Sequence, residues 1–143
     1  MFMGEYSHTI DEKGRLIIPS RFREQLGEKF VLTKGLDGCL SIYPMDEWEA
    51  FSQKLRALPL ANSNARTFSR FFVASASVCE LDRQGRILVP SALREHACLE
   101  KEVVLTGNLD RVEVWSKEKW SDYCCYDDMD QIAEGLQSMG IQL

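Results

Sequence analysis

The segment Asp11-Glu12-Lys13-Gly14-Arg15-Leu16-Ile17-Ile18-Pro19-Ser20 recurs as Asp82-Arg83-Gln84-Gly85-Arg86-Ile87-Leu88-Val89-Pro90-Ser91. Aspartate, glycine, arginine, three aliphatics, proline and serine keep one order at one offset (82 − 11 = 71, 86 − 15 = 71, 90 − 19 = 71). A chain of 143 residues that contains this pattern twice is one unit used twice. Each half is near the size at which a domain folds alone only marginally, so the halves are expected to lean on each other or on further copies.

Local chemistry says what each unit builds. Tyr6, His8 and Ile10 alternate at period two, a short strand leading into the motif; the second copy approaches through Ala76, Val78 and Glu80 or the opposite phase. Aspartate can bond its own backbone two residues on, and Gly14 or Gly85 supplies a residue tolerant of positive φ, so the chain turns there. A strand over 15–18 follows, then Pro19, which lacks a donor and suits the start of a helix from Ser20 to about Leu26, with Gly27 as a stop. The twin helix is expected from Ser91 to about Cys98.

Short apolar strands come next, 30–33 and 103–106, each joined through a turn to an alternating strand, 39–43 or 111–115. A helix follows each: one from Asp46 through Leu55 toward Pro59, the other after a Ser116 N-cap. Between the copies, 61–76 reads as a connecting helix with Phe68, Phe71 and Phe72 near one face and Arg66 and Arg70 alongside. The acidic tail places Met129, Ile132, Ala133 and Leu136 at helical spacing, for packing either on its own chain or on a neighbouring subunit. The expected organisation is unit 1 over 5–47, connecting helices over 48–75, unit 2 over 76–119 and a helical tail over 120–143.

Composition narrows the function. The N-terminus has no basic region followed by a long apolar run, and no stretch approaches a membrane span, so a soluble, unsecreted protein is expected. Five cysteines, Cys39, Cys79, Cys98, Cys124 and Cys125, contain no Cys-x-x-Cys and suit a reducing compartment. His8 and His96 stand apart from any cysteine pair, so no metal set is spaced for binding. Ser20 and Ser91 lie in no nucleophile elbow, and no phosphate-binding or dinucleotide fingerprint is present. Asp11 and Asp82 each carry an arginine four residues on, which would hold them ionised rather than poised as acids. An enzyme is not indicated, and neither a cofactor nor a small-molecule substrate is implied.

The net charge of −5 opposes global attraction to nucleic acid, so any such binding must be local. Lys13, Arg15, Arg21 and Arg23 crowd the first motif and Arg83, Arg86 and Arg94 the second, while acid gathers in the tail. Arg15 and Arg86 follow a glycine turn at the mouth of an apolar strand. A guanidinium fork presented there suits phosphate oxygens and the O6/N7 edge of guanine, and a β-ribbon can enter the major groove. The same Asp11–Arg15 and Asp82–Arg86 pairs serve equally as local ion pairs that pin the turn.

The duplicated Asp-x-x-Gly-Arg-aliphatic-aliphatic-aliphatic-Pro pattern, in a short chain that starts Met-Phe-x-Gly, resembles the MraZ family of bacterial transcriptional regulators over almost its whole length. The resemblance implies an α+β fold: two tandem AbrB-like swapped-hairpin units forming one pseudo-twofold β-barrel with flanking short helices. It implies binding to double-stranded DNA repeats upstream of the division and cell-wall gene cluster, autoregulation, assembly into a ring, and a cytoplasmic, nucleoid-associated protein that uses no cofactor. The family's aspartate and arginine fall on Asp11 and Arg15 and on Asp82 and Arg86. On this basis Arg15 and Arg86 are the expected DNA contacts, Lys13, Arg83 and Arg21 assist at the backbone, and Asp11 and Asp82 orient the arginines from the Gly14 and Gly85 turns. Lys13 against Gln84 leaves equal contribution by the two units open. The rival reading is an oligomeric, antitoxin-like protein-interaction module with incidental DNA binding.

Overall fold

The computed structural model describes residues 1–124 and 126–143. Each repeat has the same order of elements. In the first, β1 (Glu5–Thr9) leads through the motif turn to β2 (Arg15–Ile17), α1 (Ser20–Leu26), β3 (Phe30–Lys34), β4 (Leu40–Pro44), α2 (Met45–Arg56) and α3 (Ser63–Val73). The second has β5 (Ser77–Cys79), β6 (Arg86–Leu88), α4 (Ser91–Ala97), β7 (Glu102–Asn108), β8 (Arg111–Ser116), α5 (Lys117–Tyr123) and α6 (Met129–Ser138).

Strands are exchanged between the repeats. Six form one antiparallel sheet in the order β1-β7-β8-β4-β3-β5, so each unit's first strand pairs with the other unit. β2 pairs with β6 as a separate two-stranded ribbon. Both central registers sit on a pseudo-twofold axis: Leu16 faces Ile87 in the ribbon, and Ser41 faces Glu113 where β4 meets β8.

The expected closed barrel does not form. The sheet ends at β1 on one side and β5 on the other, and the link from the first unit's leading segment to the ribbon is a single bridge, Ile10 to Leu16. The reason is local. The chain turns at Asp11 directly after Ile10, which leaves no length for a ladder, and Gly14 sends β2 across to β6 instead. The open sheet is then covered by the ribbon, α1 and α4.

The core lies between them. Leu16, Ile18, Phe22 and Leu26 from one unit meet Ile87, Val89, Leu93 and Ala97 from the other. Phe22 also stands edge-on to Phe2 and Tyr6, at ring-centroid separations of 5.8 and 5.2 Å. Polar bonds tie the halves as well: Lys119 Nζ donates to the Gly38 carbonyl at 3.2 Å.

Most sequence expectations for elements hold within a residue or two. Ser116 caps α5 by accepting from the Lys119 N–H at 3.2 Å, and Asn62, at the start of the connecting helix, caps α3 by accepting from Asn64 and Ala65. Ser20 and Ser91 are the first helical residues but cap nothing; Pro19 and Pro90 precede them in extended conformation. In β5 the opposite phase holds, with Cys79 buried and Val78 outward. Cys39, Cys79, Cys98 and Cys124 are free thiols, while the expectation for Cys125 lies outside the described residues.

The outer face of the sheet is covered unequally. α3 seats Phe72 against Phe51, and Phe51 stacks on Tyr43. Thr33 Oγ1 donates to the Phe72 carbonyl at 2.6 Å and fixes that helix. In the second repeat Trp115 meets Trp120 and Tyr123 from α5, but α6 contributes no buried residue at all.

Candidate nucleic-acid interface

The two motif turns are the same object built twice. Asp11 Oδ1 accepts from the Lys13 and Arg15 N–H groups at 3.0 and 2.8 Å, and Asp82 Oδ1 accepts from Gln84 and Arg86 at 2.8 and 2.9 Å. The glycine N–H returns to the aspartate carbonyl at 2.9 Å for Gly14 and 3.0 Å for Gly85. Both glycines lie at positive φ, +85° and +75°, where a side chain would be strained. The aspartate is the organiser of the turn, which explains its place in both copies.

The second carboxylate oxygen binds the arginine. Asp11 Oδ2 accepts from Arg15 Nε at 2.6 Å and Asp82 Oδ2 from Arg86 Nε at 2.9 Å. Bonds from the arginine backbone N–H, then from its side chain, hold both carboxyls below their ordinary pKa against a modest desolvation penalty. Only Nε is used. The Nη groups of both arginines have no protein acceptor among the described residues, so each fork is aimed but unspent.

Alternation in the ribbon sets which way they face. Leu16 and Ile87 point into the core, whereas Arg15, Ile17, Arg86 and Leu88 share the outer face, with Leu88 62% exposed. Arg15 is opposite Leu88 and Ile17 opposite Arg86, so the arginines are offset by two residues, about 7 Å along the ribbon and about 5 Å across it. Cross-bonds lock this spacing: the Ile18 N–H donates to the Gly85 carbonyl at 2.9 Å and the Val89 N–H to that of Gly14 at 2.8 Å.

Of the other expected residues, Lys13 and Arg83 are exposed in the two turns beside the arginines. Arg21 is exposed on α1 and makes no bond to either turn; its counterpart is Ala92, so the repeat does not duplicate it. Two residues outside the expected set join the site. Arg23 Nε donates to the Ile18 carbonyl at 2.7 Å and Arg94 Nε to that of Val89 at 3.1 Å, and each guanidinium lies against the glycine of the opposite unit's turn. Their shared offset, 94 − 23 = 71, is the signal that finds them. Four guanidinium groups thus border one ribbon. Among the described residues no three His, Cys, Asp or Glu side chains are grouped to hold a metal ion, and no helix is long and apolar enough to cross a membrane.

Comparison with known proteins agrees with the duplication. The MraZ family model matches twice, over residues 1–71 and 72–138. A transcriptional regulator MraZ of Caldanaerobacter subterraneus subsp. tengcongensis is 57% identical over 143 residues, 99% of this chain and all of the relative. One of Moorella thermoacetica is 64% identical over 124 residues, 87% of each chain, and one of Heliobacterium modesticaldum is 62% identical over 123 residues, 86% of each. With both repeats matched and full-length relatives far above chance similarity, the chain belongs to the MraZ family.

Proposed function

We propose that the protein is a DNA-binding transcriptional regulator, not an enzyme, that reads repeated sites in double-stranded DNA with the outer face of the β2–β6 ribbon. One observation carries the reading: Arg15 and Arg86 project from that face with Nε engaged and both Nη groups open. A two-stranded ribbon fits the major groove, and an aimed guanidinium suits the two acceptors of guanine. The pseudo-twofold through Leu16 and Ile87 matches the local dyads of duplex DNA. Lys13, Arg83 and Arg21 add phosphate contacts, and Asp11 and Asp82 orient the arginines. The relatives' name, transcriptional regulator, supports the same class.

The finer reading follows the family. The sites lie upstream of the division and cell-wall gene cluster, which the protein autoregulates, in the cytoplasm at the nucleoid and without a cofactor. The reading units are 5–47 and 76–119. Assembly into a ring resolves the conflict with the acidic net charge, because several weak basic faces on successive DNA repeats gain from effective concentration.

Titration of upstream DNA carrying different numbers of repeats, at two salt concentrations and with complex mass measured, tests this. Affinity should rise steeply with repeat number and fall with salt. A second reading, an interaction module with incidental DNA binding, is favoured by the unpacked apolar side of α6. DNA retention indifferent to Arg15→Ala combined with Arg86→Ala, in a folded protein, would select it.

A further inference from the structure

The duplication gives one flank of the ribbon a cation that it denies the other. Arg21 stands exposed at the start of α1, and its counterpart at the start of α4 is Ala92, equally exposed. Beside Ala92 a cleft of about 340 Å³ opens between α3 and α4, bordered also by Pro90, Lys34, Arg70 and Phe71. Two cations and no carboxylate line it, in a chain whose net charge is −5.

Neither Lys34 nor Arg70 forms an ion pair among the described residues. The Lys34 ammonium lies 5.7 Å from the centre of the Phe71 ring, whose face steadies it without neutralising it. Ser75 Oγ accepts from the Lys34 N–H at 3.4 Å and donates to the Phe71 carbonyl at 2.8 Å, which ties the end of β3 to α3. Arg86, Leu88 and Pro90 alternate onto one side of the chain, so the exposed Pro90 carries the ribbon's outer row to the rim of the cleft. Pro90 is four residues beyond Arg86, about 13 Å along the chain. The major groove is about 12 Å wide, so a ribbon that sets Arg86 on the base edges brings this rim to the phosphates.

The other flank is built differently. Thr33-Lys34 recurs as Thr106-Gly107 (107 − 34 = 73), and the backbone of Phe2 and Met3 fills the space that a side chain at Gly107 would need. We propose that Lys34 and Arg70 bind a phosphate of the DNA backbone beside α4, in place of the contact that Arg21 supplies beside α1. The inference rests on the ribbon's binding DNA, and it adds a site that positions the duplex without reading its sequence. The two repeats then read DNA with matched arginines but grip its backbone with unmatched residues.

The full-length variant Lys34→Gln with Arg70→Gln removes both charges and keeps both side chains long. Its circular dichroism melt should match the wild type; Arg70→Gln alone, at an exposed position, gives a smaller loss of the same kind if the pair does not fold. Fluorescence anisotropy should show binding weakened several-fold, by the same factor on cognate, single-substituted and unrelated duplexes. The slope of log affinity against log salt should become shallower by about 0.9, the value of one phosphate. Adding Ala92→Arg should recover most of the loss, because it rebuilds at α4 the arrangement of α1. If folded Arg15→Ala with Arg86→Ala binds like the wild type, the ribbon reading fails and this inference with it. If that variant loses binding while the Lys34 and Arg70 variant keeps wild-type affinity and salt slope, the ribbon stands and the phosphate contact is overturned. Inorganic phosphate that then raises the melting temperature of the wild type alone would assign the cleft to a free phosphate. A loss confined to the cognate duplex would make the contact one to bases and overturn the inference as well.

Discussion

The guanidinium of Arg23, held by its Nε bond to the Ile18 carbonyl, occupies the space beside Gly85 of the opposite repeat that a Cβ there would need. Arg94 covers Gly14 in the same way. Each turn that carries a candidate DNA-reading arginine is therefore buttressed by an arginine from the other repeat. The two turns are one device.

The glycines should differ in what they tolerate. A Cβ on Gly14 would lie 2.8 Å from the carbonyl of Val89, a residue whose N–H is held in the cross-bond to Gly14, so this backbone cannot easily retreat. On Gly85 the obstacle is the far end of the Arg23 side chain, which can swing away. Both substitutions to alanine meet an unfavourable positive φ, so each should destabilise by more than about 1 kcal/mol, with Gly14→Ala the worse. Urea melts of the two variants give the order, and equal midpoints would mean that the Val89 contact relaxes freely.

Arg15→Ala or Arg86→Ala should weaken binding to a cognate repeat by about 1–3 kcal/mol and relax discrimination at one base if the fork reads guanine. Arg15→Lys should not restore it, because a lysine offers a point charge without the planar pair of donors. Fluorescence anisotropy on cognate and single-substituted duplexes separates the outcomes. A uniform loss on every sequence, with a flatter salt slope, would assign the arginine to phosphate instead.

Acid should loosen the turns before neutral pH affects them. Asp11 and Asp82 are held below their ordinary value of 3.8 in the fold, so the stabilisation they provide is complete above that value and disappears as pH falls through the lower folded value. The stability gap between the wild type and Asp11→Asn should be constant from neutral pH down to about pH 5 and should close below about pH 4. Denaturant midpoints across that range measure it. A gap that instead changes around neutral pH would point to a different titrating group.

Cysteine reactivity should follow burial. Burial first, and the Glu113 charge second, push the Cys39 thiol up to about 12 from 9.0, and burial also raises Cys79. Cys98 is exposed at the end of α4. A thiol reagent at pH 8 should modify Cys98 in the native protein and reach Cys39 only on unfolding. Because the folded value lies above the unfolded one, the Cys39 contribution is intact below pH 9 and declines above it. Mass mapping of labelled peptides with and without urea provides the check.

Much of this was legible in the residues. The 71-residue offset by itself defines two turn–strand–helix units, because glycine at positive φ, aspartate bonding its own backbone and proline ending a ladder are all local effects. It also singles out Arg15 and Arg86, which folding alone leaves without a task at their Nη groups. Tertiary structure decided what depends on partners distant in sequence. The pairing of Leu16 with Ile87 turns both arginines to one face, and a register slipped by one residue would have buried them. The turn at Asp11, directly after Ile10, leaves a single bridge to Leu16 in place of a ladder, and the sheet stays open where a barrel was expected. Arg23 and Arg94 entered the site because the exchange of strands sets each unit's helix against the other unit's turn, a contact that no local pattern encodes.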